Sequence, residues 1–113
     1  MREILFYKTQ SGASPIEDFI DDLNARQAQK VTWVLRLIEE LDQIPKQYFK
    51  KLSGTDNIWE VRVKDGKEIF RLLGFWKDSK FIILVHAFKK KSQQIKKSDL
   101  KLAERRKREY LMR

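Results

Sequence analysis

Apolar residues change period several times along this chain, and each change marks an element. Residues 3–8 read as a first strand. Ser14 then stands before Pro15, Ile16 and Glu17. That order predicts a helix with Ser14 as its cap, Pro15 at the first helical position and Glu17 completing a capping box. Ile16, Phe19, Ile20 and Leu23 follow at i, i+3, i+4 and i+7, which buries one helix face. Asn24 is placed to cap a second helix running to about Asp42. Its apolar positions include Val31, Val34, Leu35, Ile38 and Leu41, with Trp33 and Leu37 adjoining, and Pro45 turns the chain out just beyond. The pair is expected to cover a sheet.

From residue 58 the period drops to two. Strands are expected at about 58–64, 67–76 and 80–88, after a polar connection at 46–57. Asp65-Gly66 between two alternating runs predicts a type I′ hairpin turn. With a two-residue loop at that dipeptide, Lys64 faces Lys67, Arg62 faces Ile69, and Glu60 faces Arg71. Trp59, Val61 and Val63 then share one face with Phe70 and Leu72, while Glu60, Arg62 and Arg71 share the other. Arg62 and Arg71 become diagonal neighbours, roughly 7–8 Å apart and pointing away from the apolar layer. The next turn, Lys77-Asp78-Ser79-Lys80, is expected to pair Trp76 with Phe81. Leu73 then faces Leu84, Arg71 faces His86, and Ile69 faces Phe88, so His86 and Phe88 join the arginine face. Trp59, Phe70, Trp76 and Phe81 are expected in the core. Residues 96–112 read as a last helix with Ser98 as a candidate cap, a narrow stripe of Leu100, Ala103, Tyr110 and Leu111, and Lys107 in the same row. The order β-α-α-β-β-β-α predicts an α+β fold: one domain over residues 1–113, a small antiparallel sheet with two N-terminal helices and one C-terminal helix.

Composition narrows the chemistry. With no cysteine and one histidine, disulfides, thiolate metal sites and multi-histidine metal sites are excluded, and no cofactor is expected. The N-terminal run lacks the long apolar stretch of a signal peptide and nothing is long enough to span a membrane, so a cytoplasmic protein is expected. The net charge of +9 is concentrated at one end: residues 89–113 carry 11 Lys/Arg and 3 Asp/Glu. A basic end of that strength points to a polyanion, most often nucleic acid.

The runs Lys51-Leu52-Ser53-Gly54, Ile58-Trp59-Glu60-Val61-Arg62, Ile69-Phe70-Arg71-Leu72 and Leu84-Val85-His86-Ala87-Phe88-Lys89-Lys90-Lys91 together resemble the HigB-type branch of the RelE/ParE toxin superfamily. The likeness covers most of the chain. It implies a RelE-like fold and a type II toxin that cleaves messenger RNA on the translating ribosome. It also implies a cognate antitoxin, typically a helix-turn-helix, HigA-like protein that binds DNA itself, so that the toxin meets DNA only indirectly. By position, Lys50 or Lys51 matches the family's proton-handling lysines and Arg71 its sheet arginine. Phe88 stands near a point where many members carry a tyrosine, and it cannot carry a proton.

The residues fit such a cleavage. RNA supplies its own nucleophile, the 2′-OH. The protein must deprotonate it, stabilise the phosphorane and protonate the leaving 5′-oxygen, giving a 2′,3′-cyclic phosphate. Lys51, Arg62, Arg71, Lys90 and His86 are the candidate catalytic residues. The two arginines are expected to grip the phosphate, since their planar forks match it and stay charged. Clustered cations would depress the pKa of a lysine that acts as base. Lys50, Phe88, Lys89 and Lys91 are the candidate RNA-binding residues, Phe88 by stacking. Each has a plainer reading: an Arg71–Glu60 surface pair, Arg62 as a solvated strand residue, His86 as a hydrogen-bonded structural residue, and the lysines as solubilising charges on an edge. Two other functions use the same features. One is a non-catalytic superfamily toxin that inhibits DNA gyrase. The other is a plain nucleic-acid-binding module.

Overall fold

A computed structural model describes residues 2–90 and 94–113. Its elements are β1 (Glu3–Phe6), α1 (Pro15–Asp21), α2 (Ala25–Glu40), β2 (Phe49–Lys51), β3 (Trp59–Asp65), β4 (Glu68–Lys77), β5 (Phe81–Lys90) and α3 (Lys97–Leu111). The α+β class and the three helices agree with the sequence pattern. The sheet has five strands in the order β1-β5-β4-β3-β2. It is mixed rather than antiparallel throughout, because β1 runs parallel to β5. The short strand β2 lies inside the stretch expected to be a connection. Its three residues are too few for alternation to reveal.

The caps explain where the helices begin. Ser14 accepts from the Glu17 backbone N–H, with Pro15 opening α1. The reciprocal capping box forms on α2, between Asn24 and Gln27. Ser98 does not cap α3: the cap position is Lys96, which makes no side-chain cap bond. Among the described residues no helix is long and apolar enough to cross a membrane.

Each sheet face buries its own apolar layer. Val61, Val63, Phe70, Leu72, Ile82 and Leu84 pack under α1 and α2 with Ile16, Val31, Val34 and Ile38. Leu73, Phe75, Ile83 and Val85 pack under α3 with Ala103. Of the four aromatics expected in the core, Phe70 is fully buried. Trp59 and Trp76 pack against the first layer and Phe81 against the second, all three partly buried.

The pairing registers differ from the expected ones in ways that leave the key face intact. Arg62 lies directly opposite Arg71, and Asp65 opposite Glu68, so the loop is Gly66-Lys67. Only Gly66 of these takes positive φ, at 61°. Asp65 stays in the strand because its carboxylate is held by α2, accepting from Arg26 at 2.5 Å and Gln27 at 3.0 Å. The next loop is Asp78-Ser79-Lys80, closed by Lys77 opposite Phe81, with positive φ at Asp78 and Ser79. That three-residue loop moves the register by one. A bulge on β5 between the Leu73–His86 and Gly74–Leu84 pairs moves it by one more. Hence Leu84 faces Gly74 rather than Leu73, Arg71 faces Phe88 rather than His86, and Ile69 faces Lys90 rather than Phe88. Two single-residue shifts restore the alternation, so His86 and Phe88 remain on the face of Arg71.

Candidate functional site

Two adjacent rows of side chains cross the face covered by α3. The first runs Lys50, Glu60, Leu73, His86 and the second Arg62, Arg71, Phe88. Glu60 stands diagonal to Arg71. Arg71 donates through Nη1 to Glu60 Oε2, and Arg62 Nε lies 3.9 Å from Glu60 Oε1. Glu60 is fully buried and Arg71 only 2% exposed. The pair weighed from sequence as a surface contact is therefore a buried one. The expectation that both guanidinium groups point away from the apolar layer fails for Arg71, because its face carries a second apolar layer under α3 and Arg71 is buried beside it.

Glu60 and Arg71 line a cleft of about 730 Å³. Lys50, Lys51, Leu52, Ser53 and Thr55 form one side; Gln94, Ile95, Lys96, Lys97 and Leu100 form the other. Among the described residues its lining holds five cations, Lys50, Lys51, Arg71, Lys96 and Lys97, against the single carboxylate of Glu60. Such a lining concentrates positive potential in a concave space. Lys50 and Lys51 are not equivalent within it. Lys50 pairs opposite Glu60 and shares its face, whereas Lys51 pairs opposite Trp59 on the α2 side.

The other candidates scatter. Arg62 does not line the cleft. It borders a separate hollow at the free end of β3 with Lys30, Trp33, Tyr48 and Lys64. Arg62 and Arg71 are thus neighbours in register that open into different depressions. His86 donates from Nε2 to Asp99 Oδ1 at 2.8 Å, tying β5 to the first turn of α3, and its ring lies 5.2 Å from that of Phe88. Phe88 packs against the α3-side core. Neither ring lines the cleft. Lys89 sits on the far face, 3.9 Å from Glu68 and over the ring of Phe70. Lys90 donates to the Gln94 backbone carbonyl at 2.7 Å, bracing the segment that forms the cleft's second side. Lys91 lies outside the described residues.

Sequence reasoning did not assign Glu60, Lys96 and Lys97 to the site. Glu60 was legible as an acid flanked by arginines on the polar face of its hairpin. The lysines carry no local signal: they reach the cleft only because α3 packs on the second face with its N-terminal end beside Lys50 and Lys51. Among the described residues no three His, Asp or Glu side chains cluster to hold a metal ion.

The comparison with protein families decides the class. A family model described as "Phage derived protein Gp49-like (DUF891)" matches residues 18–108. The chain belongs to this Gp49-like family. The family is of RelE/ParE-like toxin type and is associated with the toxins of toxin–antitoxin systems. Membership implies an antitoxin partner. The matched stretch runs from α1 into α3 and includes every lining residue of the cleft. No curated protein matches the chain.

Proposed function

We propose that the chain is a HigB-like toxin of a type II system, a ribosome-dependent, metal-independent endoribonuclease that inhibits translation in the cytoplasm by cutting messenger RNA. The observation that carries this reading is the cationic cleft built over the Lys50–Glu60 row and Arg71. RNA brings its own nucleophile, so the protein's task is electrostatic and proton-handling. Lys50, exposed and on the face of Glu60, is the lysine best placed to exchange a proton with the 2′-OH or the leaving oxygen, with Lys51 beside it at the wall. Lys96 and Lys97 hold the phosphate from the opposite side. Arg71 lines the cleft beside them, and Glu60 accepts from its Nη1. Arg62 holds Glu60 from the other flank, Lys90 braces the cleft wall, and His86 fixes the start of α3. A helix-turn-helix antitoxin of HigA-like type is the partner that this reading carries.

The test is brief induction in a bacterial host followed by primer extension on several transcripts. Growth arrest with new 5′-hydroxyl ends inside coding regions is expected, and Lys50→Ala with Lys96→Ala should abolish both. Arrest with intact transcripts and a DNA-damage response would assign the chain to gyrase inhibition instead. Nucleic-acid binding with neither arrest nor cleavage would leave a plain binding module.

A further inference from the structure

Helix α3 separates its charges by direction. Its three acids all engage partners on or beside the protein body. Asp99 accepts from His86. Glu104 accepts from the Asp56 backbone N–H at 2.9 Å. Glu109 accepts from Tyr7 at 2.9 Å and from Arg113. Two of its cations also turn inward: Arg106 donates to the Val85 carbonyl and Lys107 to the Asp56 carbonyl. The remaining cations, Lys97, Lys101, Arg105 and Arg108, are all exposed. None of them makes an ion pair or side-chain hydrogen bond among the described residues. At i, i+4, i+8 and i+11 they fall within about an 80° arc and span about 16 Å of helix.

This row begins at the cleft. Lys97 lines the cleft itself and, with Lys101, a shallow hollow of about 360 Å³ beside Gly54 and Thr55, where the Glu104 carboxylate is engaged by the Asp56 backbone N–H. Exposed cations therefore lead from the mouth of the cleft out along the helix. We propose that the row Lys97, Lys101, Arg105, Arg108 is a rail for the phosphates of a single-stranded RNA whose reacting nucleotide occupies the cleft. The proposal rests on the reading of the cleft as an RNA site. The row neutralises several successive phosphates without reading bases, so it sets how much flanking strand the protein engages and adds no sequence preference.

Binding of 2′-O-methyl RNA, which lacks the attacking hydroxyl, measures the rail apart from any cleavage. Oligomers of about 4 and about 12 nucleotides bracket the span of a compact single-strand site. The wild-type chain is expected to bind the longer oligomer at least about tenfold more tightly at low salt, with a log–log salt slope steeper than that of the shorter oligomer by about 2, for the three rail cations beyond the cleft. Lys101→Glu with Arg105→Glu should bring the ratio of long to short affinity toward one and make the longer oligomer's slope shallower by at least about 1.4. The neutral Lys101→Gln with Arg105→Gln should lose about 1.4 of the slope with a smaller loss of affinity. An unchanged ratio and slope in both variants would overturn the proposal. So would equal wild-type affinity for the two lengths, or tighter wild-type binding to a duplex of the longer sequence. Loss of cleavage in cells with the length dependence intact would remove the catalytic reading and leave the rail.

Discussion

Glu60 sits between Arg71, which donates to its Oε2, and Arg62, whose Nε lies 3.9 Å from its Oε1. One carboxylate thus faces two cations contributed by facing strands; Glu60 and Arg71 are buried, while Arg62 keeps 20% of its side chain exposed. Removing one member of a buried ion pair strands the other charge, which is far worse than the net worth of the pair. Glu60→Ala should therefore lower stability by about 3–5 kcal/mol in urea denaturation. Glu60→Ala combined with Arg71→Met should recover most of that loss. A cost below about 1 kcal/mol for the single variant would show the pair to be solvated.

Lys50 and Lys51 both line the cleft, but only Lys50 lies on the sheet face of Glu60; Lys51 pairs opposite Trp59. If Lys50 handles the proton, Lys50→Ala should reduce the rate of messenger RNA cleavage by about 10²–10⁴-fold. Lys51→Ala should cost much less, and neither should shift the unfolding midpoint. Equal losses in the two variants, read by a cleavage time course on ribosomes, would remove the distinction drawn from register.

The Asp65 carboxyl is held well below the ordinary carboxylate range, at about 2, by hydrogen bonds from Arg26 and Gln27. Because the folded value lies below the unfolded one, the contact contributes stability above about pH 4 and loses it as pH falls through about 2. Asp65→Asn should narrow the stability difference between pH 5 and pH 2, with wild type and variant converging at the acid end. Glu109, lowered by its bond from Arg113, contributes with the same sign, so Glu109→Gln serves as a control at the other end of the molecule.

Gly74 lies at the β5 bulge, and a Cβ there would stand 2.3 Å from the Ile83 carbonyl oxygen. Backbone cannot move aside as a side chain can. Gly74→Ala should lower stability by at least about 1–3 kcal/mol, read as a drop in the thermal midpoint. A neutral outcome would mean that the bulge relaxes freely.

The faces of the sheet were legible in the sequence because alternation assigns them wherever strands pair. Trp59, Val61, Val63, Phe70 and Leu72 lie on one side and Glu60, Arg62 and Arg71 on the other, as that rule requires. Register was not legible. The Asp65 side chain, captured by α2, moved the turn by one residue, and the bulge on β5 has no local signature in Leu84-Val85-His86. For the site, the basic and polar residue types were visible, but their depth was not. Burial of Arg71 depends on where α3 packs, a contact between segments distant along the chain. Likewise Lys50 and Lys51 could be told apart only once β2 was known to be a strand.

The parallel pairing of β1 with β5 has a consequence for synthesis. Among the described residues β1 has β5 as its only strand neighbour, two helices and three strands further along the chain, and Lys96 and Lys97 at the start of α3 follow later still. Contacts of such long sequence separation form only when both ends exist. Until β5 and the start of α3 have joined the strands made before them, the sheet is incomplete and one side of the cleft is missing. On the proposed reading, cleavage therefore waits for that late docking step.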